Sequence, residues 1–98
     1  MSFIFFESDD EGYLDWVKQH PTSFVLNVRK DPDPNYIVLH QASCLSVTRP
    51  LTHAGGYTGR DYRKIVAETE QELRSAAVHQ GRRDGTFSSH CSQCFGAR

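Results

Sequence analysis

The chain has 98 residues, which is enough for one domain with a modest hydrophobic core, so we expect a single domain over residues 1–98. Hydrophobic residues make up 38% and charged residues 23%, and this composition excludes disordered and fibrous proteins. The apolar runs are far shorter than the roughly 20 residues that a membrane-spanning helix needs. The start, MSFIFFESDD, lacks the basic segment of a signal peptide. We therefore expect a cytoplasmic protein without a membrane partner.

Charge is distributed unevenly, although the formal net charge is only −1. Residues 1–35 hold seven acidic side chains and three basic ones, whereas residues 36–98 hold eight basic and five acidic ones. An anionic partner should therefore approach the C-terminal part first.

The first third of the chain predicts a short strand and a helix. Residues 3–6, FIFF, are a candidate short strand, and residues 8–21 have a helical pattern that ends at Pro21. Ser8 and Glu11 have the spacing of a capping box. Three apolar side chains share one helical face and should pack in the core: Tyr13, Trp16 and Val17.

A β-hairpin should follow this helix. Residues 23–30, SFVLNVRK, alternate between apolar and polar side chains, and residues 36–40, YIVLH, are rich in β-branched residues. The segment DPDPN between them, residues 31–35, has the composition of a turn.

The second half should contain one more strand and one more helix. Residues 45–60 have the composition of a loop, and residues 61–68 should form the strand. In residues 69–81, Thr69 and Glu72 have capping-box spacing and Gly81 ends the helix. The predicted fold class is α+β: a small three-stranded antiparallel sheet with two helices, clipped by one structural zinc ion.

The zinc ion is predicted from two pairs of residues. His40 and Cys44 form an H-x-x-x-C pair at the end of a predicted strand, and Cys91 and Cys94 form a C-x-x-C pair in a tail without periodicity. Three thiolates and one imidazole complete the tetrahedral shell of a structural zinc site. His90 is a rival to His40, but adjacent residues such as His90 and Cys91 rarely point at the same ion.

Other interpretations of these residues stay open. Cys44 and His40 could be ordinary buried side chains, and the C-x-x-C pair could be redox-active. Cys44 could also act as a nucleophile with His40 as its base. The zinc hypothesis accounts for all three cysteines at once, and it predicts a protein that is not an enzyme and has no evident small-molecule substrate.

The order H-x-x-x-C, strand, capped helix, C-x-x-C resembles the Ada-type metal-binding domain over residues 36–94. The resemblance implies zinc ligation by the four residues above and contact with DNA. In that family a ligand cysteine accepts a methyl group, but the matching first position here is His40, so this activity is not implied. The connector is also longer here, with an additional loop at residues 48–60.

A basic and aromatic segment, GGYTGRDYRK at residues 55–64, is the candidate contact with DNA or RNA. Arginine recognises phosphate with a forked set of donors, and tyrosine can stack on a base. The predicted nucleic-acid-binding residues are Tyr57, Arg60, Tyr62, Arg63 and Lys64, joined by Arg82 and Arg83. A solvated surface loop would have the same composition.

The sequence thus predicts a small zinc-stabilised recognition module that binds nucleic acid. A zinc-stabilised protein-interaction domain is the first alternative, with another protein docking on the Tyr13 and Trp16 face or on the 48–60 loop. A thiol enzyme that uses Cys44 or the C-x-x-C pair is the second alternative.

Overall fold

The computed structural model of the chain describes residues 3–44, residue 47 and residues 57–91. Its elements, in chain order, are β1 (Ile4–Phe6), α1 (Asp10–Gln19), β2 (Phe24–Arg29), β3 (Ile37–Gln41), β4 (Tyr62–Ala67), α2 (Glu70–His79) and β5 (Ser89–His90). Helices and a sheet in one fold confirm the α+β class. No helix in the described part of the chain has the length and apolar character that crossing a bilayer requires.

The sheet has five strands in the order β1-β4-β2-β3-β5, so the prediction of three antiparallel strands is wrong. The three predicted strands are its centre, β4-β2-β3, and they are antiparallel. Strand β1 adds an antiparallel edge, whereas β5 pairs with β3 in parallel. Two residues are too few to show a period-2 pattern, and therefore β5 looks like loop in the sequence.

Each helix covers a different face of the sheet. Alternate residues of the central strands point to opposite sides, as in any β-strand. One set, which includes Leu26, Leu39 and Ile65, packs with Leu73 of α2, and we name this side the α2 face. The other set includes Val25 and Val66 and packs with Tyr13 and Val17 of α1, on what we name the α1 face.

The N-cap of helix α1 lies one residue later in the chain than the predicted cap, Ser8. Its N-cap is Asp9, whose carboxylate accepts a hydrogen bond of 2.9 Å from the backbone N–H of Gly12. Ser8 has a φ of 54°, in the left-handed region, and lies before the helix. Tyr13 and Val17 are buried as predicted, while Trp16 is half-buried and stacks on His20.

Helix α2 has both predicted ends. Thr69 and Glu72 form a complete capping box. At the other end, Gly81 has a φ of +97° and donates its N–H to the Val78 carbonyl, while Arg82 donates to the Ala77 carbonyl. These two bonds form a Schellman motif, which needs a residue in the left-handed region and so favours glycine.

Candidate metal centre

His40 and Cys44 are placed by the end of β3 and the turn after it. His40 pairs with Val25 of β2, so its side chain lies on the α1 face of the sheet. The chain then turns, and the Cys44 N–H donates a hydrogen bond of 3.0 Å to the Gln41 carbonyl. This turn folds the Cys44 side chain back toward the strand that carries His40.

Cys91 reaches the same place through the parallel strand. Strand β5 pairs Ser89 with Val38 and His90 with Leu39, and the Cys91 N–H donates to the Leu39 carbonyl at 2.9 Å. Continuing this register brings Cys91 beside His40. Paired residues of neighbouring strands point to the same face, so Cys91 and His40 converge on the α1 face.

The three side chains form a compact group that could hold a metal ion. One nitrogen of His40 and the sulfurs of Cys44 and Cys91 all lie within 4.8 Å of one another. The two sulfurs are 3.8 Å apart, well beyond the ~2.05 Å of a disulfide bond. Zinc–sulfur bonds of about 2.3 Å at a tetrahedral angle separate two sulfurs by ~3.8 Å. The observed separation therefore fits two ligands of one tetrahedral ion.

The surroundings of His40 keep its imidazole neutral. Burial, helped by the positive charge of Lys64, lowers the pKa of His40 from 6.5 to about 4. His40 is only 7% exposed. A neutral imidazole has a lone pair that can bind a metal, so at neutral pH His40 is in the state that a ligand needs.

The other predicted ligands have different outcomes. His90, the rival of His40, pairs with Leu39, a residue of the α2 face, and its ring lies 5.9 Å from that of Phe87. Among the described residues the clustered ligand atoms belong to His40, Cys44 and Cys91. Cys94, the predicted fourth ligand, lies outside the described residues.

Two of the predicted phosphate contacts are buried and bonded within the chain. Arg63 is 4% exposed, and its Nε donates to a Glu7 carboxylate oxygen at 3.1 Å. Its Nη1 donates to the carbonyls of Arg60 and Tyr62. An arginine held by these groups anchors the entry to β4, which the sequence pattern alone did not reveal.

Lys64 is the second buried base. Its Nζ donates to the Asn27 side-chain oxygen at 2.8 Å and to the carbonyl of Tyr57, itself buried, at 2.9 Å. Burial lowers the pKa of Lys64 from 10.5 to about 8, although the Asp10 carboxylate opposes this shift. A DNA or RNA phosphate would have to displace these internal bonds to reach the amine.

Asp10 is a structural residue whose role the sequence pattern did not reveal. Its Oδ1 accepts hydrogen bonds from the backbone N–H and the hydroxyl of Thr58, at 2.8 and 2.6 Å. Burial alone would raise the pKa of Asp10, but the bonds from Thr58 and Tyr57, with the charge of Lys64, lower it. Asp10 thus fixes residues 57 and 58 against the start of α1.

The remaining predicted contacts are divided between the surface and the interior. Arg82 donates to the carbonyls of Pro34 and Phe87 and so holds the turn after α2. Arg60 and Arg83 are exposed. Tyr62 is half-buried on the α1 face, in register with Arg29.

A small aromatic and cationic surface lies at that end of the sheet. The Arg29 guanidinium carbon is 5.0 Å from the centre of the Tyr36 ring and 5.7 Å from that of Tyr62. The arginine side chain is 48% exposed and lies 4.0 Å from an Asp33 carboxylate oxygen. We name Arg29, Tyr36 and Tyr62 the stacking surface. Of these three residues the sequence pattern predicted only Tyr62 as a contact, because the three come from different strands or strand ends.

Comparisons with protein-family models, with curated proteins and with solved structures found no significant match.

Proposed function

We propose that this protein is a zinc-stabilised recognition module, in which His40, Cys44, Cys91 and Cys94 bind one structural zinc ion. The observation that carries the proposal is the group of one imidazole nitrogen and two sulfurs, with the sulfurs 3.8 Å apart. Cys94 is the fourth ligand in this proposal because a C-x-x-C pair offers two sulfurs from one turn. The Ada-type resemblance agrees with this ligand order and stays a prediction.

A zinc ion at this place would act as a clip between the end of β3 and the C-terminal segment. Cys44 and Cys91 are 47 positions apart in the chain. In the chain-entropy model, a cross-link that closes a loop of this length stabilises the folded state by about 4 kcal/mol. Strand β5 has only two residues to hold it against β3. The clip would therefore stabilise the shortest strand of the described sheet.

Four protein ligands leave no coordination position for water, so the proposed role is structural and not catalytic. The rival role, a thiol nucleophile at Cys44, needs a thiolate that reacts quickly in the folded chain. A zinc-bound thiolate is protected from alkylating reagents until a chelator removes the metal. Rapid alkylation of Cys44 in the folded, metal-loaded chain would favour the enzyme.

Cobalt substitution tests the ligand set. Tetrahedral Co²⁺ with thiolate ligands has intense visible absorption and sulfur-to-cobalt charge-transfer bands, which zinc lacks. We expect one equivalent of Co²⁺ to produce this spectrum in the wild-type chain and one equivalent of Zn²⁺ to abolish it. Cys91→Ser should weaken the charge-transfer band, and His40→Ala should weaken metal binding by at least tenfold.

His90→Ala is the matched control, since it removes the rival histidine next to Cys91. It should leave the cobalt spectrum and the affinity unchanged. If His90→Ala abolishes binding while His40→Ala does not, the assignment of His40 is wrong. If the wild-type chain gives no tetrahedral spectrum, the zinc site itself is refuted.

The stacking surface supports nucleic acid as the class of molecule that this module recognises. The exposed Arg29 can contact phosphate, and the half-buried rings of Tyr36 and Tyr62 beside it are candidates for stacking on bases. The exposed Arg60 of the loop before β4 and Arg83 of the turn after α2 remain predicted contacts. Protein interaction is the alternative, and the predicted docking loop lies mostly outside the described residues.

Titration of labelled single-stranded DNA and RNA at two salt concentrations tests this recognition role. We expect salt-dependent binding, and a loss of about tenfold in affinity for Tyr36→Ala, because stacking on one base contributes ~1–3 kcal/mol. Arg74→Ala, which removes an exposed arginine of α2, is the control and should change little. Equal affinities for both variants, or no binding at low salt, would support protein interaction instead.

A further inference from the structure

The sulfurs of Cys44 and Cys91 face each other at 3.8 Å, and the two residues differ in exposure. Cys44 is buried, whereas Cys91 is half-buried at the edge of the sheet. We propose that this pair is an oxidative modification site, at which a peroxide converts the two thiolates into a disulfide and releases the zinc ion. The release step rests on the proposed zinc site, whereas the disulfide pairing rests on the distance alone.

The backbone already holds the two residues close together. Cys91 is fixed by its hydrogen bond to the Leu39 carbonyl, and Cys44 by its bond to the Gln41 carbonyl. Both carbonyls belong to β3. A disulfide needs the sulfurs at ~2.05 Å, less than 2 Å closer than they are in this structure. Rotation of side chains and a small shift of the turn can cover this difference, while β3 keeps its place in the sheet.

The reaction proceeds in two displacements. The Cys91 thiolate attacks one peroxide oxygen, the O–O bond breaks, hydroxide leaves, and Cys91 becomes a sulfenic acid. The Cys44 thiolate then attacks the sulfur of that sulfenic acid, the S–O bond breaks, and a second hydroxide leaves as the S–S bond forms. Two thiolates lose two electrons to one peroxide, which is reduced to two hydroxide ions. The disulfide removes two of the zinc ligands together.

Cys91 is the residue that the peroxide reaches first, because it is the more exposed of the pair. The nearby sulfur of Cys44 then competes with Cys94, which is three positions further along the chain. The sulfurs of Cys44 and Cys91 lie 3.8 Å apart in the folded chain, so the long-range bridge is the one proposed, and a bridge within C-x-x-C is the competing outcome. This choice is the part of the proposal that mass spectrometry can check directly.

The experiment treats the full zinc-loaded chain with hydrogen peroxide at neutral pH, while a chromogenic chelator reports released zinc. Digestion with trypsin, without reduction, then locates the bridge. Cleavage after lysine and arginine, except before Pro50, leaves Cys44 in peptide 31–60 and places Cys91 and Cys94 together in peptide 84–98. A bridge from Cys44 joins the two peptides, whereas a Cys91–Cys94 bridge makes peptide 84–98 about 2 Da lighter.

We expect joined peptides, formed in step with zinc release and reversed by a thiol reductant. Cys94→Ala should form the same joined peptides, and Cys91→Ala should form them to at most a tenth of that extent. A lighter peptide 84–98 without joined peptides would overturn the proposal, as would joined peptides that persist in Cys91→Ala and vanish in Cys94→Ala. Zinc release with sulfinic or sulfonic acids in place of a bridge would overturn it as well.

Zinc content is measured before peroxide is added, so the two proposals can fail separately. A chain that contains no zinc but still forms joined peptides would refute the zinc site and keep the disulfide pairing. A chain that contains zinc but never joins these peptides would keep the zinc site and refute the modification.

Discussion

Burial of Lys64 should make the free energy of unfolding depend on pH between pH 7 and pH 10. The folded chain lowers the pKa of this amine from 10.5 to about 8 because Lys64 is buried. Between these two values the unfolded chain binds more protons than the folded chain. The free energy of unfolding should therefore increase as pH rises from 7 to 10. Below pH 8 the cost of burying the charged amine is present in full.

The shift gives the size of this effect. Each pKa unit corresponds to about 1.4 kcal/mol. The amine of the unfolded chain still holds most of its protons at pH 10, so only part of the shift from 10.5 to about 8 is expressed, and the unfolding free energy should increase by roughly 2–3 kcal/mol between pH 7 and pH 10. Measurements should stop at pH 10, because burial raises the pKa of Tyr13 and ionisation of this residue in the unfolded chain then opposes folding.

Urea unfolding at several pH values, followed by circular dichroism, measures the effect. Lys64→Met should lose the increase, so that the stability difference between wild type and variant changes by roughly 2–3 kcal/mol from pH 7 to pH 10. Lys30→Met, which removes an exposed lysine charge, is the matched control and should follow the wild type. If Lys64→Met and the wild type respond to pH identically, the argument from burial is refuted.

Three further substitutions test the fold, and a fourth serves as a control. Thr69→Ala removes the hydroxyl of the capping box and should lower the unfolding free energy by about 1 kcal/mol in urea titrations, whereas an unchanged midpoint would contradict the cap. Gly81→Ala should cost about 1 kcal/mol because φ is +97°, and no loss of thermal stability would argue against the left-handed turn. Leu39→Ala leaves a cavity in the core and should cost ~2–5 kcal/mol, while Val78→Ala, at an exposed position, should change stability by less than about 0.5 kcal/mol.

Local patterns predicted the centre of the fold well. The capping box at Thr69 and Glu72 and the stop at Gly81 are short-range features, and the sequence identifies them directly. The candidate strand at residues 3–6 is confirmed as β1, although its place in the sheet was not predicted. Strand β5 was missed, because a strand of two residues depends on its neighbour for hydrogen bonds and not on its own alternation. The sheet order likewise depends on contacts between distant segments.

The candidate site was also predicted from local spacing only in part, because contacts between distant segments complete it. Spacing paired His40 with Cys44 and Cys91 with Cys94, and the structure shows how the parallel pairing of β5 with β3 brings Cys91 to His40 and Cys44. The sequence could not show that Arg63 and Lys64 are buried. Basic residues after a glycine-rich loop are usually exposed, and nothing in the local pattern distinguishes these two from the others. Their acceptors, Glu7 and Asn27, come from remote parts of the chain.

Native mass spectrometry, combined with near-ultraviolet circular dichroism before and after chelation, tests the zinc clip most directly. The account predicts one zinc ion per chain, and it predicts that a chelator removes the ion and the near-ultraviolet signal together. Zinc added back should restore both. A chain that carries no metal and still has the full near-ultraviolet signal of a folded protein would refute the zinc clip.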